Sequence, residues 1–141
     1  MREILYRAIS MARGEHWLYG LPRHYARNPH TEKWTMYDPT TGIETDIDED
    51  TLGQYTGRTD VDDDKIFEGD VLTATIFDYN GHDTMHTVIV EWNEKYAQYM
   101  CVDVNDKDCM WDLGWIILND GEPLIVGNRW DNPSLLKGGE K

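Results

Sequence analysis

Three groups of side chains have the types and spacing for chemistry. His82-Asp83-Thr84-Met85-His86 has the outline of a zinc-protease motif, with Asp83 standing where that motif has glutamate. The motif works on a helix, where residues four apart share a face and a metal. Here the segment follows Asn80-Gly81, a strong hairpin signal, and leads into Val88-Ile89-Val90, so a strand is expected. Four residues rise about 13 Å along a strand, too far for both imidazoles to reach one zinc at about 2 Å. Two surface histidines beside a turn are expected, and no metal. Asp60, Asp62, Asp63 and Asp64 form an acidic run. Asp60, Asp62 and Asp64 match positions 1, 3 and 5 of a calcium-binding EF-hand loop, but Lys65 and Val71 stand where that loop needs Gly and Glu. A looser divalent site on Asp62, Asp63 or Asp64 stays open beside the plainer reading of a solvated acidic turn. The third group is Trp111-Asp112-Leu113-Gly114-Trp115. On a strand both indoles would face one side, either as core or as an exposed platform for a peptide, a sugar or a neighbouring subunit. Asp112 could orient a polar ligand there.

The remaining candidates are weaker. With 27 acidic residues, no carboxylate pair is singled out for hydrolysis. There is no Ser-His-Asp order, nucleophile elbow, phosphate-binding glycine loop or dinucleotide fingerprint. Gly53 and Gly57 lie in a loop pattern and form no helix-packing motif. Cys101 and Cys109 are eight apart with no C-x-x-C spacing, and read as small, partly buried thiols. No catalytic residue and no cofactor are expected.

The elements that would position these groups read as strands. Residues 2–9 read as a strand in which Ile4, Tyr6 and Ala8 alternate with Glu3, Leu5 and Arg7, and residues 16–19 give a short strand ended by Gly20 and Pro22. Residues 23–30 read as a loop or irregular strand, and 34–37 as another strand. Asp38-Pro39-Thr40-Thr41-Gly42 is a turn. Ile43, Thr45 and Ile47 alternate with acids as on a solvated strand, Asp50 starts at most one helical turn, and 53–57 link two halves. Asp62-Asp63 occupies a tight-turn position. From Asp70 onward the pattern is β: Leu72, Ala74 and Ile76 share a face, as do Val88, Val90 and Trp92. Asn93-Glu94-Lys95 turns the chain, 105–108 is a polar loop, and 113–118 reads as an apolar strand. Asp120-Gly121 leads to a last strand, and Asn132-Pro133 reads as a helix start.

The stretch 52–72 holds the most distinctive residues. Gly53-Gln54-Tyr55-Thr56-Gly57, followed by Lys65-Ile66-Phe67-Glu68-Gly69-Asp70-Val71, resembles the signature of the YopX family of phage and prophage proteins. Arg2-Glu3-Ile4 with Arg7-Ala8, Val90-Glu91-Trp92 with Tyr96-Ala97, and Ile125-Val126-Gly127-Asn128 with Asp131-Asn132-Pro133 resemble its opening, middle and end. The resemblance covers nearly the whole chain. It implies a phage or prophage lineage and carries over no catalytic residue. Where the family has a hairpin turn, typically Asn-Gly, this chain has Asp62-Asp63.

Composition bounds the rest. Hydrophobic residues make up 40% of the 141, with six Trp and eight Tyr, enough for a packed interior and against disorder. No apolar run approaches the roughly 20 residues that span a bilayer, and no secretion signal follows the early arginines, so a cytoplasmic protein is expected. Net charge is −14, which repels phosphate backbones and disfavours direct nucleic-acid binding. Residues 44–70 carry −9 and residues 1–37 carry +3, a polarity that fits internal pairing or head-to-tail contact between copies. The sequence therefore predicts a mainly β fold: a small SH3-like barrel in the C-terminal part, an N-terminal antiparallel β-layer packed with it, and a short C-terminal helical turn. One domain spans 1–141, divisible into β-subdomains 1–55 and 56–141. The expected role is a non-catalytic protein–protein interaction module, with a protein partner or with copies of itself. The alternatives are an acidic mimic of nucleic acid that occupies a host DNA-binding protein, and a metal-dependent hydrolase using the same aspartates.

Overall fold

Period-two alternation of apolar and polar residues governs much of the sequence, and the computed structural model turns it into ten strands among the described residues. Residues 3–12, 14, 16–25, 33–77 and 81–137 are described. The chain divides into two compact units, Met1–Tyr55 and Thr56–Lys141. No described helix is long and apolar enough to cross a membrane.

The N-terminal unit holds β1 (Tyr6–Ser10), β2 (Trp17–Tyr25), β3 (Lys33–Asp38) and most of β4 (Ile43–Thr59). Successive strands pair in order, and β1 also pairs antiparallel with β4, so the pairings run round a closed ring. Ala8, Met36 and Ile47 form the core, with Tyr6, Leu18, Trp34 and Leu52 packed on it. Two expectations are corrected here. Gly20 and Pro22 do not end a strand: β2 runs through both for nine residues. β1 pairs with β2 only as far as Gly20, and Pro22 lies on the stretch that has β3 alone beside it. A missing N–H can face away from the ladder there. Gly20 is buried, and a Cβ on it would lie 2.1 Å from the Tyr37 carbonyl oxygen, so only glycine lets the strands approach this closely. The second correction is β4, a single strand of 17 residues where a helical turn and a link were expected. Its register against β1 jumps between Arg7–Gly53 and Ile9–Asp48. The looped-out residues are held by Thr51 Oγ1, which accepts from the Ile9 N–H and donates to the Asp48 carbonyl.

The C-terminal unit begins at the end of β4, where Thr56 Oγ1 donates to the Ile66 carbonyl on β5 (Lys65–Phe67). β6 (Asp70–Phe77), β7 (Asp83–Asn93), β8 (Gln98–Asp103), β9 (Met110–Asp112) and β10 (Leu124–Asn128) form an antiparallel sheet in the order β10-β6-β7-β8-β9. Leu72, Ala74, Ile76, Val88, Val90 and Cys101 supply its buried face. The expected face of β6 is confirmed, whereas Trp92 is 45% exposed against the edge of Tyr99. Gly81 has the positive φ of a hairpin turn; its partner Asn80 lies outside the described residues. Residues 113–118 are not a strand but α1 (Leu113–Leu118). A six-residue apolar run is ambiguous between the two. Asp112 settles it by capping the helix, its carboxylate accepting the Trp115 N–H at 2.9 Å. Helical spacing then sends Leu113 and Ile116 into the core. After β10 a 3₁₀ turn follows at Pro133–Lys137. Asn132 does not cap it through its side chain, which accepts instead from the Asn128 N–H.

Candidate interaction site

Because β2 is continuous, alternation places Trp17, Tyr19, Leu21, Arg23 and Tyr25 on the face opposite the core-packed Leu18. Tyr19, Leu21 and Tyr25 are 41–48% exposed. Tyr37 of β3 stands opposite Leu21, and the Arg23 guanidinium lies over its ring, 4.5 Å from the centroid. Arg7, itself buried, sits 4.6 Å from the Trp17 ring centroid. One carboxylate oxygen of Glu44 on β4 accepts from the Thr35 hydroxyl at 2.7 Å and the Tyr25 hydroxyl at 2.8 Å, with Arg23 at 3.8 Å. These donors, Thr35 first, hold the Glu44 carboxyl below its ordinary value. Lys33 pairs with Asp46 at 3.1 Å on the same face. The result is a sheet face of aromatic, aliphatic and arginine side chains, held by ring stacking and shared hydrogen bonds and carrying both signs of charge. The strand-breaking reading of Gly20 and Pro22 hid it, although the odd-position run from Trp17 to Tyr25 was the signal for it.

The structure puts the two tryptophans of this stretch on different elements. Trp111, on β9, is half-buried against the C-terminal core, and its ring tilts onto His86 at 4.9 Å between centroids. Trp115, on α1, is 41% exposed. With the change from strand to helix at Asp112 the two indoles do not share a strand face, and the Asp112 carboxylate is engaged as the helix cap.

Within the acidic run, Asp60 is buried while Asp62, Asp63 and Asp64 are exposed. Asp60 Oδ1 accepts from the Asp62 and Asp64 N–H groups, and Oδ2 from Ile125. The backbone closes the turn from Asp60 N–H to the Asp64 carbonyl, with Asp63 at φ 66°. Asp63 therefore takes the left-handed position that glycine or asparagine usually fills. One oxygen each of Asp60, Asp62 and Asp64 lies within 4.8 Å of the others, a grouping that the turn itself produces.

His82 precedes β7 and His86 lies within it. His86 Nε2 meets Thr84 Oγ1 at 2.8 Å and Nδ1 meets the buried Asp103 carboxylate at 2.7 Å. His86 is thus a partly buried, hydrogen-bonded residue and not the surface histidine expected. The order hydroxyl, imidazole, carboxylate is that of a nucleophile relay; in this unit it fixes the ring on which Trp111 packs. Cys101 is buried, and burial pushes its thiol up to about 12. The exposed Cys109 thiol donates to Asp106, which also raises its pKa. Neither is poised as a thiolate nucleophile.

The family model described as YopX protein matches residues 5–137. No curated protein matches the chain.

Proposed function

The chain belongs to the YopX family, and on that footing we propose a phage- or prophage-encoded, cytoplasmic protein that acts by contact, binding copies of itself through the outer face of β2 and β3. The observation that carries this reading is the exposed row Tyr19, Leu21 and Tyr25 with Arg23 stacked on Tyr37. Tyr, Trp and Arg dominate the energetics of protein interfaces. Their fixed geometry reduces the entropy lost on binding. Arg23 and Lys33 lie beside Glu44 and Asp46, so a copy related by a two-fold axis can match each charge with its opposite. The five-strand order of the C-terminal sheet, with α1 between β9 and β10, supports an SH3-like barrel as the scaffold of the second unit. Size-exclusion chromatography with light scattering tests the reading. The wild type should run as a multimer at micromolar concentration, and Leu21→Asp should shift it to monomer with an unchanged circular dichroism spectrum. A monomeric wild type, or a multimer indifferent to Leu21→Asp and Tyr19→Ser, would end it.

A further inference from the structure

The C-terminal unit has a groove on the face of its sheet away from the core. On β7 and β8, Ile89, Glu91, Met100 and Val102 share the face opposite the Val88, Val90 and Cys101 core, and Trp130 lies against part of it. A Cβ on Gly69 would come within 2.4 Å of the Trp130 ring, so the glycine is what lets the indole lie flat. Beside Trp130 a groove of about 570 Å³ remains, with Ile89, Val102, Val104, Met110 and Leu136 among its lining, a size typical of ligand sites. Its anionic groups are already engaged. Asp103 is buried, with one oxygen on His86 and the other on the Asn105 N–H. Glu91 holds one Nη of Arg129 at 2.7 Å.

The cationic groups are not fully used. Lys107 lines the groove and has no ion pair among the described residues. Arg129 gives one Nη to Glu91 and its Nε is buried out of a ligand's reach, but the side chain is still 38% exposed. A carboxylate reaching the exposed end of the guanidinium beside Lys107 would add the charge-assisted bonds that arginine favours. In a chain of net charge −14, a groove whose unused donors are Lys107 and Arg129 is an exception. We infer that this groove binds an extended segment of another protein, in which a side-chain carboxylate flanked by apolar residues meets Arg129 and Lys107 while the apolar side chains fill the space over Ile89 and Val102.

The test is an NMR titration of the full chain with an acetylated, amidated hexapeptide of valine and leucine around one glutamate. Its counterpart carries glutamine instead. The glutamate peptide should shift Ile89, Val102, Met110 and the Arg129 Nε–H saturably, and the glutamine peptide should bind about tenfold more weakly. Arg129→Lys, which keeps the charge but loses the fork, should weaken binding about as much. Lys107→Gln, on an exposed side chain, gives the same comparison should the Arg129 variant misfold. Equal binding of both peptides, shifts on β2 and β3, or no saturable shift at all would each overturn the assignment. Because the groove and the β2–β3 face share no residue, a failure here leaves the self-association reading standing.

Discussion

Asp60 shows how one side chain can decide the reading of a whole acidic run. Its two oxygens accept three backbone N–H groups, from Asp62, Asp64 and Ile125, and the side chain is buried. Truncating it strands those donors. Asp60→Ala should therefore cost about 2–4 kcal/mol. Asp62→Ala and Asp64→Ala, on exposed side chains, should stay within about 0.5 kcal/mol. Asp63→Gly should be neutral or slightly stabilising, since φ 66° strains any residue with a Cβ. Urea denaturation of the four variants measures this directly. Comparable losses at Asp60 and Asp64 would mean that the run bears load together, as a shared site would. In the sequence the four aspartates look alike; the difference between them is burial, which spacing alone does not encode.

At the scale of elements, the β9–α1 junction depends on one cap. Asp112→Ala should destabilise the C-terminal unit by about 1 kcal/mol, with Asp112→Asn costing much less, because Asn caps nearly as well. Thermal unfolding followed by tryptophan fluorescence reads both; equal losses would mean that the charge of Asp112, through its setting near Arg58 and Gly114, matters more than the cap. This junction also marks where the sequence stopped being legible. The β6–β7 hairpin could be read because alternation and Gly81 agreed, and Leu72, Ala74, Val88 and Val90 are indeed core. In Leu113–Leu118 an unbroken apolar run has no period, so a polar cap one residue earlier set the outcome. In β2 the punctuation residues misled. Gly20 is there for a close strand approach and Pro22 for a one-sided stretch, neither of which a single strand's sequence reveals. The candidate face was lost with that strand, since its residues share a side only if β2 runs from Trp17 to Tyr25.

For the whole molecule, net charge sets a test that separates the competing readings. Two copies of charge −14 repel at long range, and salt shortens that repulsion to a Debye length of about 10 Å at 0.1 M. Contact through Tyr19, Leu21, Tyr25 and stacked Arg23 is mostly apolar and short-ranged, so salt removes more repulsion than attraction. Self-association should therefore tighten severalfold between about 50 and 500 mM sodium chloride, a range over which surface charges go from weakly to strongly screened. Sedimentation velocity at both concentrations reads the shift. Head-to-tail pairing of the basic 1–37 segment with the acidic 44–70 segment of another copy would give the opposite sign, because its attraction is itself the screened term. Capture of a basic host protein by Asp62, Asp63 and Asp64 would likewise weaken with salt. An assembly that dissolves at high salt thus counts against the sheet face and moves the search to the acidic turn; one that tightens leaves the aromatic face of β2 and β3 as the contact to map.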